Sequence, residues 1–399
     1  MALARNSPQR AGSSRWVFFS NHPEANKKPN LLKRHGYIYE GICDLENIKC
    51  AVAKASLGKR DHTKVKRVLD HTDRYALEIQ KMLVDQTFEP TRPKEKTILD
   101  GPSGKTRTIC RPSFFPDQIV HWAIMLQLEP IMMRGMYQYN CGSVPGRGTS
   151  HGQKALRKWL DKDPKNTKYC LKMDVRKFYP SVKGEHLKPY FRRKIKDERC
   201  LWLVDAVIDS ADGLPIGYYT SQWFSNFFLE DLDHFIKEEL GAKHYVRYVD
   251  DLVVLGPNKK KLHRARADVE AFLSAKGLHL KDNWQVFPVS KRDIDFLGMR
   301  FYRDRTLLRK RNALRIRRRA RRIAKKRNLS VRDASAMVSY WGWIKRTDSY
   351  TFYHKYIKPA VSITEARKVV SIDARYRRAN PCCNGRRESG GLRPDAEAR

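Results

Sequence analysis

His244-Tyr245-Val246-Arg247 leads into Tyr248-Val249-Asp250-Asp251, and Leu252-Val253-Val254-Leu255 follows. Two short runs rich in β-branched, aromatic and aliphatic residues predict a β-hairpin, with two adjacent carboxylates on its tight turn. Neighbouring aspartates repel each other and resist desolvation unless a cation compensates, and hard divalent ions prefer such oxygen ligands. Asp is also common in ordinary surface turns, whose geometry it tolerates. The pair therefore gains its meaning from what accompanies it elsewhere in the chain.

A two-metal site for phosphoryl transfer needs a further carboxylate from a separate strand. Asp174 ends the run Tyr169-Cys170-Leu171-Lys172-Met173-Asp174, whose alternation predicts a strand finishing at the acid. Standing alone, Asp174 would read more readily as a helix N-cap or turn residue. Between the acids lies Gly213-Leu214-Pro215-Ile216-Gly217-Tyr218-Tyr219-Thr220-Ser221-Gln222, and then a stripe of Phe224, Phe227, Phe228, Leu232, Phe235 and Ile236 at helical spacing. The stripe predicts a core helix over 223–236 with Thr220 or Ser221 as its cap. Gly213 and Gly217 would let backbone come close to a strand of nucleic acid or a nucleotide.

The chain carries 81 Lys and Arg against 43 Asp and Glu, a formal charge of +38 over 399 residues. Such an excess dominates long-range attraction to polyanions, nucleic acid or acidic membrane. It is densest over Arg309 to Arg327, where Arg317, Arg318, Arg319, Arg321 and Arg322 lie among Leu314, Ile316, Ala320 and Ile323, an amphipathic helix with a basic face. So many like charges repel unless phosphate lies nearby. A second helical stretch, Ala334 to Tyr356, interleaves Trp341, Trp343, Tyr353 and Tyr356 with Lys345, Arg346 and Lys355, a pattern of packed core that also suits base stacking. No apolar run of about 18 residues and no signal-peptide pattern is visible, so membrane spanning and export are not expected. The eight cysteines, from Cys43 to the adjacent Cys382 and Cys383, lack paired zinc spacing and fit reduced cytoplasmic thiols.

Asp174, the Pro215-Ile216-Gly217 loop with its helix, and Tyr248-Val249-Asp250-Asp251 follow one another as in the palm of reverse transcriptases, and the chain resembles that family over roughly residues 37 to 360. Gly104-Lys105-Thr106-Arg107-Thr108-Ile109 looks like the fingers hairpin, and Phe114 to Ala123 like the helix after it. Ile294-Asp295-Phe296-Leu297-Gly298 looks like the primer-grip strand, and the basic helices beyond it like a thumb. Within the superfamily the chain is most similar to the reverse transcriptases of diversity-generating retroelements. Ile216-Gly217 stands where other branches carry Gln-Gly, and Ser221-Gln222 where they carry Ser-Pro.

The resemblance implies an α+β, right-hand polymerase fold, with fingers, a palm of antiparallel sheet backed by helices, and a helical basic thumb. Its expected divisions are a flexible basic extension over 1–34, N-terminal helices and fingers over 35–165, palm over 166–300 with finger elements around 185–212, thumb over 301–372 and a flexible tail over 373–399. It implies RNA-directed DNA polymerisation in which Asp174, Asp250 and Asp251, with the carbonyl of Val175, hold two Mg2+ ions. Lys105 and Arg107 would meet the triphosphate, although a solvated basic loop is an alternative for both. Tyr179 would act as a steric gate against the ribose 2'-hydroxyl, with Phe178 as the alternative and one of the two as core. Ile216 and Gly217 would line the nucleotide site, and Ile216 lacks the amide hydrogen bonds of Gln, which implies lowered fidelity. Ser221, Gln222, Phe296, Leu297, Gly298, Arg317, Arg318 and Arg321 would meet template and primer. The implied partners are an RNA template, a DNA or RNA primer, dNTPs and a small basic accessory protein, in a bacterial or phage-encoded cytoplasmic system. No ribonuclease H or endonuclease motif is visible, so those steps are expected from other proteins. A defence-associated or retron-like reverse transcriptase, and an idle RNA-binding protein on the same scaffold, are the competing expectations.

Overall fold

The computed structural model describes residues 34–100 and 105–379, except the side chains of residues 100, 105 and 376–379. The expected flexible extension over 1–34 lies outside them apart from its last residue. Its central element is a four-stranded antiparallel sheet. Its strands are β3 (Tyr169–Asp174), β4 (His244–Tyr248), β5 (Asp251–Gly256) and β6 (Gln285–Pro288), in the order β4-β5-β3-β6. The strands are apolar almost throughout because both faces are covered. Leu171, Met173, Tyr245, Leu252 and Val254 enter one core cluster, while Cys170, Val246, Val253, Leu255 and Phe287 enter a second. Alternate residues thus serve opposite faces, the period of two that a pleated strand imposes.

The first cluster is filled from the helices Leu45–Ala55, Ile119–Met133, Tyr219–Phe228 and Lys259–Ser274. The second is closed by the helix Thr149–Lys162 and by a small sheet of β7 (Ile294–Phe296), β8 (Met299–Phe301) and β9 (Thr306–Leu308). A separate hairpin, β1 (Lys94–Asp100) with β2 (Lys105–Arg111), precedes the helix Ile119–Met133. The helices Lys310–Ile323, Val331–Ile344, Tyr350–Tyr356 and Ile363–Ala379 contribute to a third cluster containing Ile316, Ala320, Ile323, Met337, Ile344 and Ala366. The architecture is the expected α+β one, with an antiparallel palm sheet backed by helices, a fingers hairpin and a helical basic thumb. Among the described residues no helix is long and apolar enough to cross a membrane.

Three helix boundaries differ from expectation. The run 223–236 is broken: an α-helix covers Tyr219–Phe228, a short one Glu230–His234, and a wider turn Phe235–Glu239. The N-cap is Tyr218, and Thr220 and Ser221 lie buried in the first turn rather than capping it. The stretch 334–356 breaks at 345–349, where Thr347, Asp348 and Ser349 compete for backbone hydrogen bonds. Asp348 there exchanges bonds with Thr306, its N–H donating to the Thr306 carbonyl at 2.8 Å and its carboxylate accepting from the Thr306 N–H at 2.7 Å. The first part of the tail expected from 373 is helical, because the last helix runs to Ala379. Residues 373–379 contain only helix-compatible types, and the first Pro is Pro381. The rest of the expected tail lies outside the described residues.

Candidate active site

The hairpin β4–β5 turns through only two residues, Val249 and Asp250, with Tyr248 paired to Asp251. Val249 has φ of 57°, a left-handed conformation that disfavours a β-branched residue and costs about 1–3 kcal/mol. The surroundings hold it there. Arg247 Nη1 donates to the Val249 carbonyl at 3.1 Å. Gly142 lies so close that a Cβ added to it would fall 2.6 Å from the Val249 backbone nitrogen. The segment around Gly142 in turn pairs along the outer edge of β4, through Arg247 N–H to the Tyr139 carbonyl at 3.1 Å and Cys141 N–H to the Arg247 carbonyl at 2.8 Å.

The antiparallel register brings the third acid alongside. Asp174 pairs with Asp251 across β3 and β5, and the Val175 N–H donates to the Asp250 carbonyl at 3.0 Å. Asp174 and Asp251, 77 positions apart, thereby share one end of the sheet. Burial pushes the Asp250 carboxyl up to about 6, and the Asp174 charge pushes the same way. The Asp251 carboxyl also rises to about 6, chiefly through burial, with Lys172 opposing and Asp174 and Asp250 adding. Lys172 Nζ lies 3.7 Å from Asp251 Oδ1, and that buried oxygen has no hydrogen-bond partner. Lys281 Nζ donates to Asp174 Oδ1, and its backbone N–H donates to the Asp174 carbonyl at 2.8 Å.

Three clustered carboxylates, one with an orphaned buried oxygen, are the donor chemistry a hard divalent cation takes. Among the described residues no three His, Cys, Asp or Glu side chains already close into a cage for an ion. The Lys281 ammonium occupies Asp174 Oδ1.

The other expected residues divide by location. Phe178 is core, 3% exposed, whereas Tyr179 is half-buried beside Ser225 and Asp250. Of the two gate candidates, Tyr179 therefore faces the acids. Arg107 is exposed on β2, and only the backbone of Lys105 is described. Ile216 and Gly217 join that hairpin to the palm: Cys110 N–H donates to the Ile216 carbonyl at 2.8 Å. Gly217 has φ of 121°, and a Cβ there would stand 2.2 Å from the Cys110 carbonyl oxygen. Gly217→Ala is expected to push the loop off the hairpin, lowering stability by about 1–3 kcal/mol. Urea denaturation reads the loss, and unchanged stability would mean that the loop yields freely.

Two residues expected to meet template or primer have buried side chains. Phe296 is fully buried in the second cluster, and Ser221 is 1% exposed inside the first. Each side chain falls on the inward side of its element. The accessible features nearby are Gln222, exposed, and the turn Leu297-Gly298, where both residues have positive φ. That turn is fixed by Gln153 Nε2 donating to the Leu297 carbonyl at 2.9 Å and Asn312 Nδ2 to the Gly298 carbonyl at 3.0 Å. On the thumb helix Lys310–Ile323, Arg318 and Arg321 are exposed, and Arg317 lies over the Tyr356 ring at 4.4 Å. Arg319 turns inward to pair with Asp333 at 2.8 Å.

Sequence reasoning missed the support behind the turn. Arg247 and Asp233 are both 0% exposed. Arg247 meets the two Asp233 oxygens at 2.7 and 2.5 Å and Asn226 Oδ1 at 3.1 Å. Tyr245 Oη donates to the same carboxylate at 2.8 Å, and Asn226 Nδ2 donates to the Gly142 carbonyl at 2.6 Å. The signals were present: an arginine in an otherwise apolar strand, and an aspartate within an apolar helical stripe.

The reverse transcriptase (RNA-dependent DNA polymerase) family model matches residues 93–301, just over half of the chain, a span that holds all three acids, the Ile216 loop and the Leu297-Gly298 turn. The chain belongs to the reverse transcriptase family. Among its relatives, the Retron Ec73 reverse transcriptase of Escherichia coli is 28% identical over 188 residues, 44% of this chain and 57% of that protein. Protein YkfC of Escherichia coli strain K12 is 24% identical over 180 residues, 41% of this chain and 47% of that one. This reverse transcriptase family member thus spans about half the length of the curated relatives it matches. Among solved structures, apo telomerase from Candida tropicalis aligns with a TM-score of 0.46 and 13% identity, over 73% of this chain and 59% of that chain. Telomerase from Candida albicans in complex with a TWJ fragment of telomeric RNA aligns at 0.44 and 12%, over 76% and 62%.

Proposed function

We propose that the chain is an RNA-directed DNA polymerase that copies an RNA template into complementary DNA. The observation that carries this reading is the pairing of Asp174 with the Asp250–Asp251 turn on adjacent strands inside the family-matched span. Asp174, Asp250, Asp251 and the Val175 carbonyl would hold two Mg2+ ions. When bound, the ions would supply activation of the primer 3'-hydroxyl and neutralisation of the departing pyrophosphate. Lys105 and Arg107 bind the triphosphate, Arg107 through the planar fork that suits phosphate oxygens. Tyr179 excludes a ribose 2'-hydroxyl, and Ile216 and Gly217 border the incoming nucleotide. Gln222, the Leu297-Gly298 turn and Arg317, Arg318 and Arg321 hold template and primer. The working divisions are N-terminal helices and fingers over 35–165, palm over 166–300 and thumb over 301–372.

The finer reading is error-prone copying in a diversity-generating retroelement, with a small basic accessory protein and a cytoplasmic setting. Ile216 supports it, since a side chain without hydrogen-bonding groups discriminates among nucleotides less strictly. A retron-like role is the second reading, favoured by the similarity to the Retron Ec73 reverse transcriptase. Primer extension by the purified chain on a defined RNA, followed by sequencing of the products, separates them. Complementary DNA that appears only with a divalent ion is the expected outcome, with errors concentrated opposite template adenines if diversification is the role. A clean copy favours the retron-like reading. No DNA on any RNA template, with or without the accessory protein, ends the polymerase reading.

A further inference from the structure

A cavity of about 270 Å3 lies between the end of the helix Leu45–Ala55, the start of the helix Ile119–Met133 and the loop entering the helix Tyr219–Phe228. His121 is 1% exposed in its lining, and neither ring nitrogen has a hydrogen-bond partner. Burial pushes the imidazole down to about 4, so at neutral pH it is uncharged and offers one N–H and one lone pair. An unsatisfied buried polar ring inside a hollow is costly unless something enters to meet it. Tyr218 lies 4.8 Å from the His121 ring, and Trp122 stacks on Tyr219 at 3.8 Å and 13°, so aromatic faces form the walls. Lys54 and Lys59 stand at the rim, Lys59 Nζ donating to Gln118 Oε1. Gly217 and Gln222 complete the lining, which connects the hollow with the loop assigned above to nucleotide and template.

We propose that this cavity receives one unpaired base of the template RNA, turned out of the strand beside the Gly217–Gln222 loop. The reading rests on the chain being a template-copying polymerase. The chemistry of the lining favours this occupant. Aromatic rings in the lining match the face of a base, a neutral imidazole offers a single N–H or lone pair to a base edge, and two ammonium groups at the mouth match the flanking phosphates. The site does not use Asp174, Asp250 or Asp251. It holds the single strand ahead of the copied position and so adds affinity without touching the reacting atoms.

The test uses the full chain and a primer–template hybrid with a single-stranded RNA overhang, in which one abasic site is moved along the overhang. Wild-type affinity is expected to fall roughly tenfold at one overhang position, the scale of one lost base–aromatic stack, and little elsewhere. His121→Phe keeps the ring and removes both nitrogens, and is expected to reduce that position dependence while primer extension on a hybrid with a one-nucleotide template overhang is unchanged. A second measurement needs no variant. Template carrying 4-thiouridine at the sensitive position should photo-crosslink to peptides containing Trp122 or Tyr219. A flat abasic scan, or a crosslink elsewhere, with normal primer extension overturns the cavity assignment and leaves the polymerase reading standing. Failure of extension on every template removes the reading beneath it and the cavity assignment with it.

Discussion

Asp251→Asn is expected to abolish primer extension and at the same time to make the protein harder to unfold. Activity would fall because the carboxylate proposed to help hold the ions becomes a weak neutral ligand. Removing one well-placed electrostatic group from a reacting centre costs about 10²–10³-fold, and loss of a shared metal ligand should reach at least the upper figure. Stability moves the other way. The Asp251 carboxyl titrates near 6 in the folded chain, mainly because it is buried, against about 3.9 in an unfolded one. A folded value above the unfolded value means that ionisation opposes folding. The penalty is absent below about pH 4, grows as pH rises toward 6 and is complete above it. Asn has the same shape and no charge, so the variant should gain about 1–3 kcal/mol at pH 7 without divalent ions. Its advantage should vanish near pH 4. Thermal unfolding from pH 4 to 8 reads both statements, and a variant less stable than wild type at pH 7 would show that Lys172 already compensates the charge.

Arg247→Ala is expected to lose about 3–5 kcal/mol, because it strands the buried Asp233 carboxylate without its guanidinium. That is a large share of the 5–15 kcal/mol typical of a whole domain. The same change removes the donor that holds the Val249 carbonyl, so the strained turn carrying Asp250 loses its main restraint. Stability and positioning are separable here. Replacing the pair together, Arg247→Met with Asp233→Leu, removes both buried charges and should recover most of the stability. It should not recover activity, since no donor remains for Val249. Urea denaturation and the dependence of extension rate on dNTP concentration check this, with kcat expected to fall far more than KM rises. A double variant that polymerises normally would reduce Arg247 to a structural role.

The palm strands were legible because their alternation reports two covered faces, and the three acids because adjacent carboxylates at strand ends have little local use. Helix ends were less legible. The break at 345–349 depends on Asp348 reaching back to Thr306, 42 positions earlier in the chain, and no window of local sequence contains that bond. The burial of Phe296 and Ser221 was hidden for a related reason. Sequence places them beside a functional loop, but which side of a turn is covered depends on elements packed from elsewhere.

Taken alone, the residues determined that the chain makes an apolar hairpin with two acids on its turn, a third acid ending another strand, a basic helical region and a large positive charge. These are properties of period, turn chemistry and composition, which are local or additive. Tertiary structure decided the rest: the register that pairs Asp174 with Asp251, the Arg247–Asp233–Asn226 support beneath Val249, the Lys281 ammonium on Asp174, and the hollow around His121. Each depends on distant segments meeting in the packed assembly, where they exclude water and set the electrostatic cost of the polar groups they enclose.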